Sequence, residues 1–330
     1  MRRSSTLLLI AALPLTGCGP AGGSPSGADP LPEELEARVE ARLDALDANT
    51  SVFALHLPTG RQVAVRADQP MNTLSVIKIP AMVLAFRDHA AGRIDLDARV
   101  TIGEDDLRRG SGLVQTFAPG LQPTLRDLVR QMIITSDNTA TDLVAEAVGL
   151  DRVNAWLESE GYEETAFRMT TGDLFREVWV RADPAHATLT DREVFERGFP
   201  ADAEASTRSF ALEGDSTAWL GRTTAREMTR LLAQILHEEV AGPADSAEMV
   251  DMLRGQLYSS RLPQRVRWSG VGIAHKTGDW PPIAGNDVGI LFYNGGPTIV
   301  SAFATQNTGD FFELEATLGL IAQDLVEAWR

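Results

Sequence analysis

Segments with the pattern of β-strands lie near the two ends of this chain, and the part between them has a mostly helical pattern. Short strands that are far apart in sequence bury their apolar faces most economically in one shared sheet. We therefore predict an α/β (α+β) fold, with an antiparallel sheet flanked by helices and an inserted all-helical domain. The sheet part is assigned to residues 32–70 and 265–330, and the helical part to residues 71–264.

Apolar spacing and turn residues place the individual elements. Helix patterns cover residues 31–46 and 314–329, and a helix is predicted to open at Thr124. The strand-like runs are residues 51–57, 61–66, 271–276, 287–293 and 298–305.

The overall charge narrows the classes of partner. The formal net charge is -16 and the pI is near 4.8, which argues against nucleic acid because a phosphate backbone requires clustered cations. A neutral or cationic small partner fits this balance better, although surplus acid also serves solubility.

The first 18 residues have the pattern of an export signal. Arg2 and Arg3 precede an apolar run over residues 6–15, and Leu15-Thr16-Gly17-Cys18 follows. This resembles a bacterial lipoprotein signal, which implies a lipid on Cys18 and a position in the cell envelope, on the periplasmic side and at the outer membrane. The alternative is a plain signal peptide in which Cys18 is incidental. Residues 19–31 are predicted to be a flexible tether.

Lysine is rare in this chain: of the 30 basic residues, only Lys78 and Lys276 are lysines. An arginine stays protonated at any workable pH, whereas a buried lysine can lose its proton and act as a base. In Ser75-Val76-Ile77-Lys78, a spacing of three places the hydroxyl and the amine on one helix face. We predict that Ser75, at a helix start, is a nucleophile and that Lys78 takes its proton.

Two further motifs carry groups that suit the same reaction. Ser136-Asp137-Asn138 offers a second hydroxyl for proton transfer and an amide that can hold a substrate carbonyl, and we interpret Asp137 as structural. Lys276-Thr277-Gly278, expected to close a strand, offers a cation and a hydroxyl for a substrate carboxylate, and Gly278 lets substrate approach the backbone. The N–H groups of Asp279 and Ser75 are expected to form an oxyanion hole.

Histidine shows no pattern of metal ligation in this sequence. We interpret His275 as a strand residue, and we expect no metal and no organic cofactor because side chains and backbone supply every group required.

With S-x-x-K, S-D-N and K-T-G in this order, followed by Asn286-Asp287-Val288-Gly289-Ile290, the chain resembles a class A β-lactamase-type serine hydrolase over residues 32–330. The resemblance implies a β-lactamase-like fold whose motifs meet between the sheet part and the helical part. The roles it implies are nucleophile for Ser75, base for Lys78, proton shuttle for Ser136, substrate ligand for Asn138, and carboxylate anchor for Lys276 with Thr277.

One element of this family is missing. In place of the E-x-x-L-N loop, whose glutamate activates the hydrolytic water, the chain has Thr171-Gly172-Asp173-Leu174-Phe175. Asp173 and Glu177 are candidate substitutes, although surface carboxylates are usually only solvated. The region 173–220 is also longer than is usual in the family. Its Thr190-Asp191-Arg192-Glu193 capping box predicts a short helix, in either a lid or a packed surface elaboration.

The expected function is an exported serine hydrolase that forms an acyl-enzyme on Ser75 and hydrolyses the amide bond of β-lactams. Two alternatives remain open: a peptidase acting on D-Ala-D-Ala stem peptides of the cell wall, and a penicillin- or muropeptide-binding sensor that does not hydrolyse what it binds.

Overall fold

The computed structural model of the protein describes residues 32–330. The predicted signal, its Cys18 and the tether lie outside the described residues. Within the described part, no helix has the length and apolar composition needed to cross a membrane.

The described elements alternate between a sheet and packed helices. In chain order the strands are β1 (Asn49–His56), β2 (Arg61–Val65), β3 (Met71–Asn72), β4 (Ala166–Phe167), β5 (Gly221–Thr223), β6 (Gly272–Trp280), β7 (Ala284–Phe292) and β8 (Thr298–Thr305). The α-helices are α1 (Pro32–Asp44), α2 (Lys78–Ala90), α3 (Leu125–Ile134), α4 (Asn138–Val148), α5 (Leu150–Ser159), α6 (Thr171–Ala182), α7 (Asp191–Arg197), α8 (Ala205–Gly214), α9 (Ala225–Leu236), α10 (Pro243–Arg254), α11 (Pro263–Val266) and α12 (Phe311–Trp329).

The main sheet has five antiparallel strands in the order β2-β1-β8-β7-β6, so strands from both ends of the chain share it. A smaller antiparallel sheet, β3-β5-β4, connects the segment just before Ser75 to the end of the long insertion. The predicted antiparallel sheet flanked by helices, with a helical insertion, is confirmed.

The central strand β8 is buried on both faces. Ile299 and Phe303 point into the core shared with α9, whereas Val300 and Ala302 point into the core beneath α1 and α12. This alternation follows from the period of two along a strand. Because each fully buried large apolar side chain contributes ~1.5–3 kcal/mol, burial on both faces stabilises β8 at the centre of the sheet.

Three local features differ from the sequence predictions. Strand β6 continues to Trp280, which pairs with Ala284, so the K-T-G motif lies inside a strand and does not close one. Ser75 lies in a 3₁₀ turn, residues 74–77, and α2 begins only at Lys78. The insertion holds α6 and α8 in addition to the predicted helix α7, whose capping box at Thr190 is present.

Candidate active site

The turn that carries Ser75 is fixed from several sides. Leu74 has a φ of 46°, which is uncommon for a residue with a side chain. Its N–H donates to Asn72 Oδ1 at 3.1 Å, and Asn286 Nδ2 on β7 donates to the carbonyl oxygens of Asn72 at 2.9 Å and Thr73 at 3.2 Å. These bonds offset the cost of the left-handed conformation, so Ser75 is half-buried on a rigid support.

Gly278 allows β6 to approach this turn closely. A Cβ atom added at Gly278 would lie 2.4 Å from the carbonyl oxygen of Thr73 and 3.2 Å from the Cβ of Leu74. The glycine is therefore needed for strand β6 to reach the turn that carries Ser75, a structural reason that the sequence alone did not reveal.

Lys78 is fully buried, and all the hydrogen bonds of its side-chain amine lead to the S-D-N motif. Its Nζ donates to the Ser136 carbonyl oxygen at 2.8 Å, to Ser136 Oγ at 3.3 Å and to Asn138 Oδ1 at 2.9 Å. Burial lowers the pKa of Lys78 to about 7, against the opposing pull of nearby carboxylates, chiefly Asp137. A neutral amine that can accept a proton is thus accessible near neutral pH.

Lys276 approaches the same hydroxyl from β6. Its Nζ donates to Ser136 Oγ at 3.0 Å and to the Thr277 carbonyl oxygen at 2.7 Å. Burial, together with the positive charge of Lys78, holds the pKa of Lys276 well below its usual range. Ser136 Oγ therefore connects the two amines. The backbone of Ser136 has a φ of 54°, in the left-handed region.

The remaining residues of the S-D-N motif set the position of α4. Asp137 is its N-cap and accepts hydrogen bonds from the N–H groups of Ala140 at 2.9 Å and Val114 at 2.8 Å, which agrees with the structural interpretation. Asn138 Nδ2 donates to the Arg109 carbonyl oxygen at 2.8 Å. The amide of Asn138 thus joins the loop before α3 to Lys78.

On the β6 side, Thr277 is fully buried, and its hydroxyl has no hydrogen-bond partner among the described residues. The Asp279 carboxylate pairs with Arg261, a fully buried side chain whose Nη1 also lies 4.0 Å from Glu315. Sequence reasoning missed Arg261, because an isolated arginine gives no signal of burial.

A cavity of about 580 Å³ opens at these groups. Ser75, Ser136 and Asn138 line it, together with Asp279 and residues of the insertion. Lys276, Thr277 and Gly278 do not line the cavity, and Lys276 joins the site through its hydrogen bond to Ser136 Oγ.

Residues 34–329 match the profile of the β-lactamase enzyme family. The chain belongs to this class A β-lactamase family of serine hydrolases. β-Lactamase L2 of Stenotrophomonas maltophilia is 27% identical over 329 residues, which cover 96% of this chain and 93% of that protein. A β-lactamase of Streptomyces fradiae is 35% identical over 122 residues, which are only 34% of this chain and 39% of that protein.

A crystal structure of a β-lactamase from Sphaerobacter thermophilus shows the same fold. The TM-score is 0.70 at 24% sequence identity, and the match covers 89% of this chain and 96% of that one.

Thr171 is the residue predicted from the sequence to stand where the family has its glutamate. Thr171 lines the cavity, and its hydroxyl lies 2.8 Å from Asp142 Oδ1. Asp142 is itself fully engaged, because it pairs with Arg108 at 2.7 Å and accepts hydrogen bonds from the N–H groups of Thr171 and Gly172.

The two candidate substitutes lie elsewhere. Asp173 caps α6 through Thr170 and pairs with Arg176, and Glu177 pairs with Arg181 at 2.6 Å. Both line a second cavity and not the one at Ser75. Among the described residues, the only carboxylates that line the Ser75 cavity are Asp279 and Glu315.

His275 lies beside Lys276 but points away from this chemistry. Its Nδ1 lies 2.8 Å from Asp287 Oδ1, and the Leu262 N–H donates to the other oxygen of Asp287 at 3.0 Å. His275 is therefore a buried strand residue whose Nδ1 is hydrogen-bonded to Asp287. Within residues 32–330, no cluster of three or more histidine, cysteine, aspartate or glutamate side chains is arranged to hold a metal ion.

Proposed function

We propose that this serine hydrolase forms an acyl-enzyme on Ser75 with β-lactams and related amides or esters. The observation that carries the proposal is the buried Lys78 amine, whose pKa is about 7. The amine lies one turn after Ser75 and is hydrogen-bonded to Ser136. A buried base, a nucleophile and a second hydroxyl are the parts that acyl transfer requires.

In the proposed acylation, Ser75 Oγ adds to the substrate carbonyl carbon and its proton passes to Lys78. The proton then moves through Ser136 to the leaving nitrogen as the carbon–nitrogen bond breaks, so an ester replaces the amide. The N–H of Ser75, which makes no hydrogen bond with the described residues, and the N–H of Asp279 would stabilise the oxyanion. Asn138 would bind the substrate amide.

The paired lysines suit a substrate that carries a carboxylate. Lys78 and Lys276 both donate to Ser136 Oγ, so a charge on one amine disfavours a charge on the other. A carboxylate bound at Lys276 and at the unpartnered Thr277 hydroxyl would hold the proton on Lys276. Lys78 would then be left neutral, as its role requires.

Hydrolysis of this ester is the slow step in our proposal. The carboxylates at the Ser75 cavity are Asp279 and Glu315, and both lie against Arg261. Because the cation of Arg261 holds both, neither is placed to take a proton from water. The long-lived acyl-enzyme that follows also supports the alternatives of a D-Ala-D-Ala peptidase and a penicillin- or muropeptide-binding sensor.

We further propose that the protein is exported and anchored in the bacterial cell envelope by a lipid on Cys18. The pattern of residues 1–18 supports this proposal. Incorporation of labelled fatty acid into the wild type but not into Cys18→Ser would support the anchor, and labelling of neither would contradict it.

Turnover of a chromogenic cephalosporin tests the proposed chemistry. Wild type is expected to open the ring in a first, stoichiometric burst followed by slow turnover, and Ser75→Ala is expected to show neither. Equal turnover by the two proteins would reject Ser75 as the nucleophile. Release of D-alanine from a pentapeptide, without cephalosporin turnover, would select the peptidase.

A further inference from the structure

The insertion supplies a wall of the Ser75 cavity that is largely apolar. We call residues 171–214, which hold α6, α7 and α8, the insertion wall. Its apolar residues on the cavity are Leu174, Phe175, Val178, Phe199, Pro200 and Leu212. The insertion is therefore more than a surface elaboration, because its aromatic and aliphatic side chains form part of the site.

This wall begins directly beside the catalytic motifs. A Cβ atom added at Gly110 would meet both Asn138 Nδ2 at 2.7 Å and the tip of the Phe175 ring at 3.3 Å. The ring of Phe175 thus adjoins the amide proposed to bind the substrate. Phe175 packs edge-to-face on Phe199, with the ring centroids 5.1 Å apart, so the apolar surface continues away from Ser75.

Two arginines of the wall, Arg181 and Arg208, also line the cavity, and both are already paired with carboxylates. Arg181 bonds to Glu177 and Asp215, each at 2.6 Å, and Arg208 pairs with Asp202. Neither arginine is left free to attract a carboxylate into the cavity. A charged group placed against Phe175 and Phe199 would lose hydration without gaining a partner there.

Hydrogen bonds tie the wall to the rest of the protein. Arg109 Nε donates to the Phe195 carbonyl oxygen at 2.5 Å, and within the wall Trp179 Nε1 donates to the Gly198 carbonyl oxygen at 3.0 Å. At the end of the wall, Asn72 Nδ2 donates to the buried Glu213 carboxyl at 2.7 Å. The cavity is therefore preformed, and its volume of about 580 Å³ lies in the range of small-molecule sites.

We propose that the insertion wall forms an acyl-side-chain pocket, and that the substrates of this enzyme carry a long, uncharged, apolar acyl group. The proposal rests on the proposed acylation of Ser75 and adds the substrate class to it. The acyl chain lies along Phe175 and Phe199, while the carbonyl carbon stays at Ser75.

A homologous series of p-nitrophenyl esters, from acetyl to decanoyl, tests the pocket. Ser75 Oγ forms an ester with the acyl group, and p-nitrophenolate leaves, so its colour reports acylation. Each added methylene is expected to raise kcat/KM about fourfold until the pocket is full. Rates of Ser75→Ala are subtracted as background hydrolysis.

Two serines of α8 provide a matched pair of variants. Ser209 lines the cavity, whereas Ser206 is exposed on the same helix. Ser209→Trp is expected to lower the decanoyl-to-acetyl ratio of kcat/KM at least tenfold, about 1.4 kcal/mol, and Ser206→Trp is expected to keep the wild-type ratio. Thermal unfolding of both variants shows whether they fold.

The outcomes separate this proposal from the one on which it rests. A flat wild-type series with Ser75 acylated by every ester would overturn the pocket and leave the proposed function standing. An unchanged ratio in a folded Ser209→Trp would overturn the pocket as well. Absence of acylation by both the esters and penicillin would overturn the two proposals together.

Discussion

The Ser75 site and the insertion wall handle charge in opposite ways. In the site, Lys78 and Lys276 are fully buried, and burial lowers the pKa of both. In the wall, Arg181 and Arg208 line the cavity but are paired with carboxylates, and most other wall residues on the cavity are apolar. The difference shows that burial in the Ser75 site favours proton transfer, whereas the insertion wall presents a surface whose charges take no part in the reaction.

Lys78→Arg tests the role of burial in the Ser75 site and should have the largest effect on the acylation rate. An arginine keeps the positive charge but cannot act as a base, so the acylation rate should fall by ~10²–10⁴-fold. Stopped-flow acylation by penicillin measures the rate. A variant that folds and acylates at the wild-type rate would break the comparison.

The pH dependence of acylation should follow the Lys78 amine. In the proposed acylation the neutral amine is the active form. Because its pKa is about 7, the rate should rise by about tenfold per pH unit below that value and level off above it. A pH–rate profile measures this. A profile that falls with rising pH through 7 would show that the protonated amine is the active form.

Gly278→Ala should disturb the contact between β6 and the turn that carries Ser75. The added methyl would overlap the carbonyl oxygen of Thr73, so we expect ~1–3 kcal/mol of destabilisation and a slower acylation. Gly272→Ala is the matched control on the same strand, since its methyl would meet Phe292 Cβ at an ordinary 3.6 Å. Chemical denaturation measures the free energy of unfolding of both variants. Equal values would contradict the close contact between Gly278 and Thr73.

Glu213 is the exception within the insertion wall, because it is a buried carboxyl. Burial raises its pKa to about 8, so between its unfolded value near 4.5 and about 8 the folded protein binds more protons than the unfolded chain. Its contribution to stability is therefore lost as pH rises through this window. Glu213→Gln should be more stable than wild type at about pH 9, by ~1–3 kcal/mol.

Thermal or chemical unfolding across pH measures the Glu213 effect, and the two proteins should converge below the unfolded pKa. A difference that does not depend on pH would mean that Glu213 is not held protonated by burial.

Asp173→Asn with Glu177→Gln should have the smallest effect on the chemistry. Both carboxylates face the second cavity, so the lifetime of the acyl-enzyme should stay within about twofold of wild type, although the change weakens the capping box that Asp173 forms with Thr170. Decay of the adduct followed by mass spectrometry is the measurement. A lifetime tenfold longer, about 1.4 kcal/mol, would identify one of the two as the deacylating base.

The sequence predicted those parts of the molecule that depend on local patterns. The antiparallel sheet, the helix at Thr124 and the helix at Thr190 all follow from periodicity and capping residues, and both capping boxes are present in the structure. The pair Thr170 and Asp173 has the same capping pattern and marks the start of α6. This start was not predicted, because the segment was aligned with the E-x-x-L-N loop of the family.

Other features depend on contacts between distant segments and were not predictable from local patterns. The extension of β6 past Gly278 is set by pairing with β7. The burial of Arg261 and Glu213 depends on elements far away in sequence. The hydrogen bonds from Asn286 that support the turn carrying Ser75 also come from a distant segment. No spacing rule within a single segment reports such contacts.

The most direct test of the account is the intact mass of wild type and Ser75→Ala during incubation with a penicillin, followed from seconds to hours. We predict that wild type alone gains the full mass of the penicillin, as ring opening loses no atoms, and that this adduct decays slowly. An adduct on both proteins, or on neither, would contradict acylation of Ser75. An adduct on wild type that disappears within seconds would contradict the inference that the cavity lacks a free base for water.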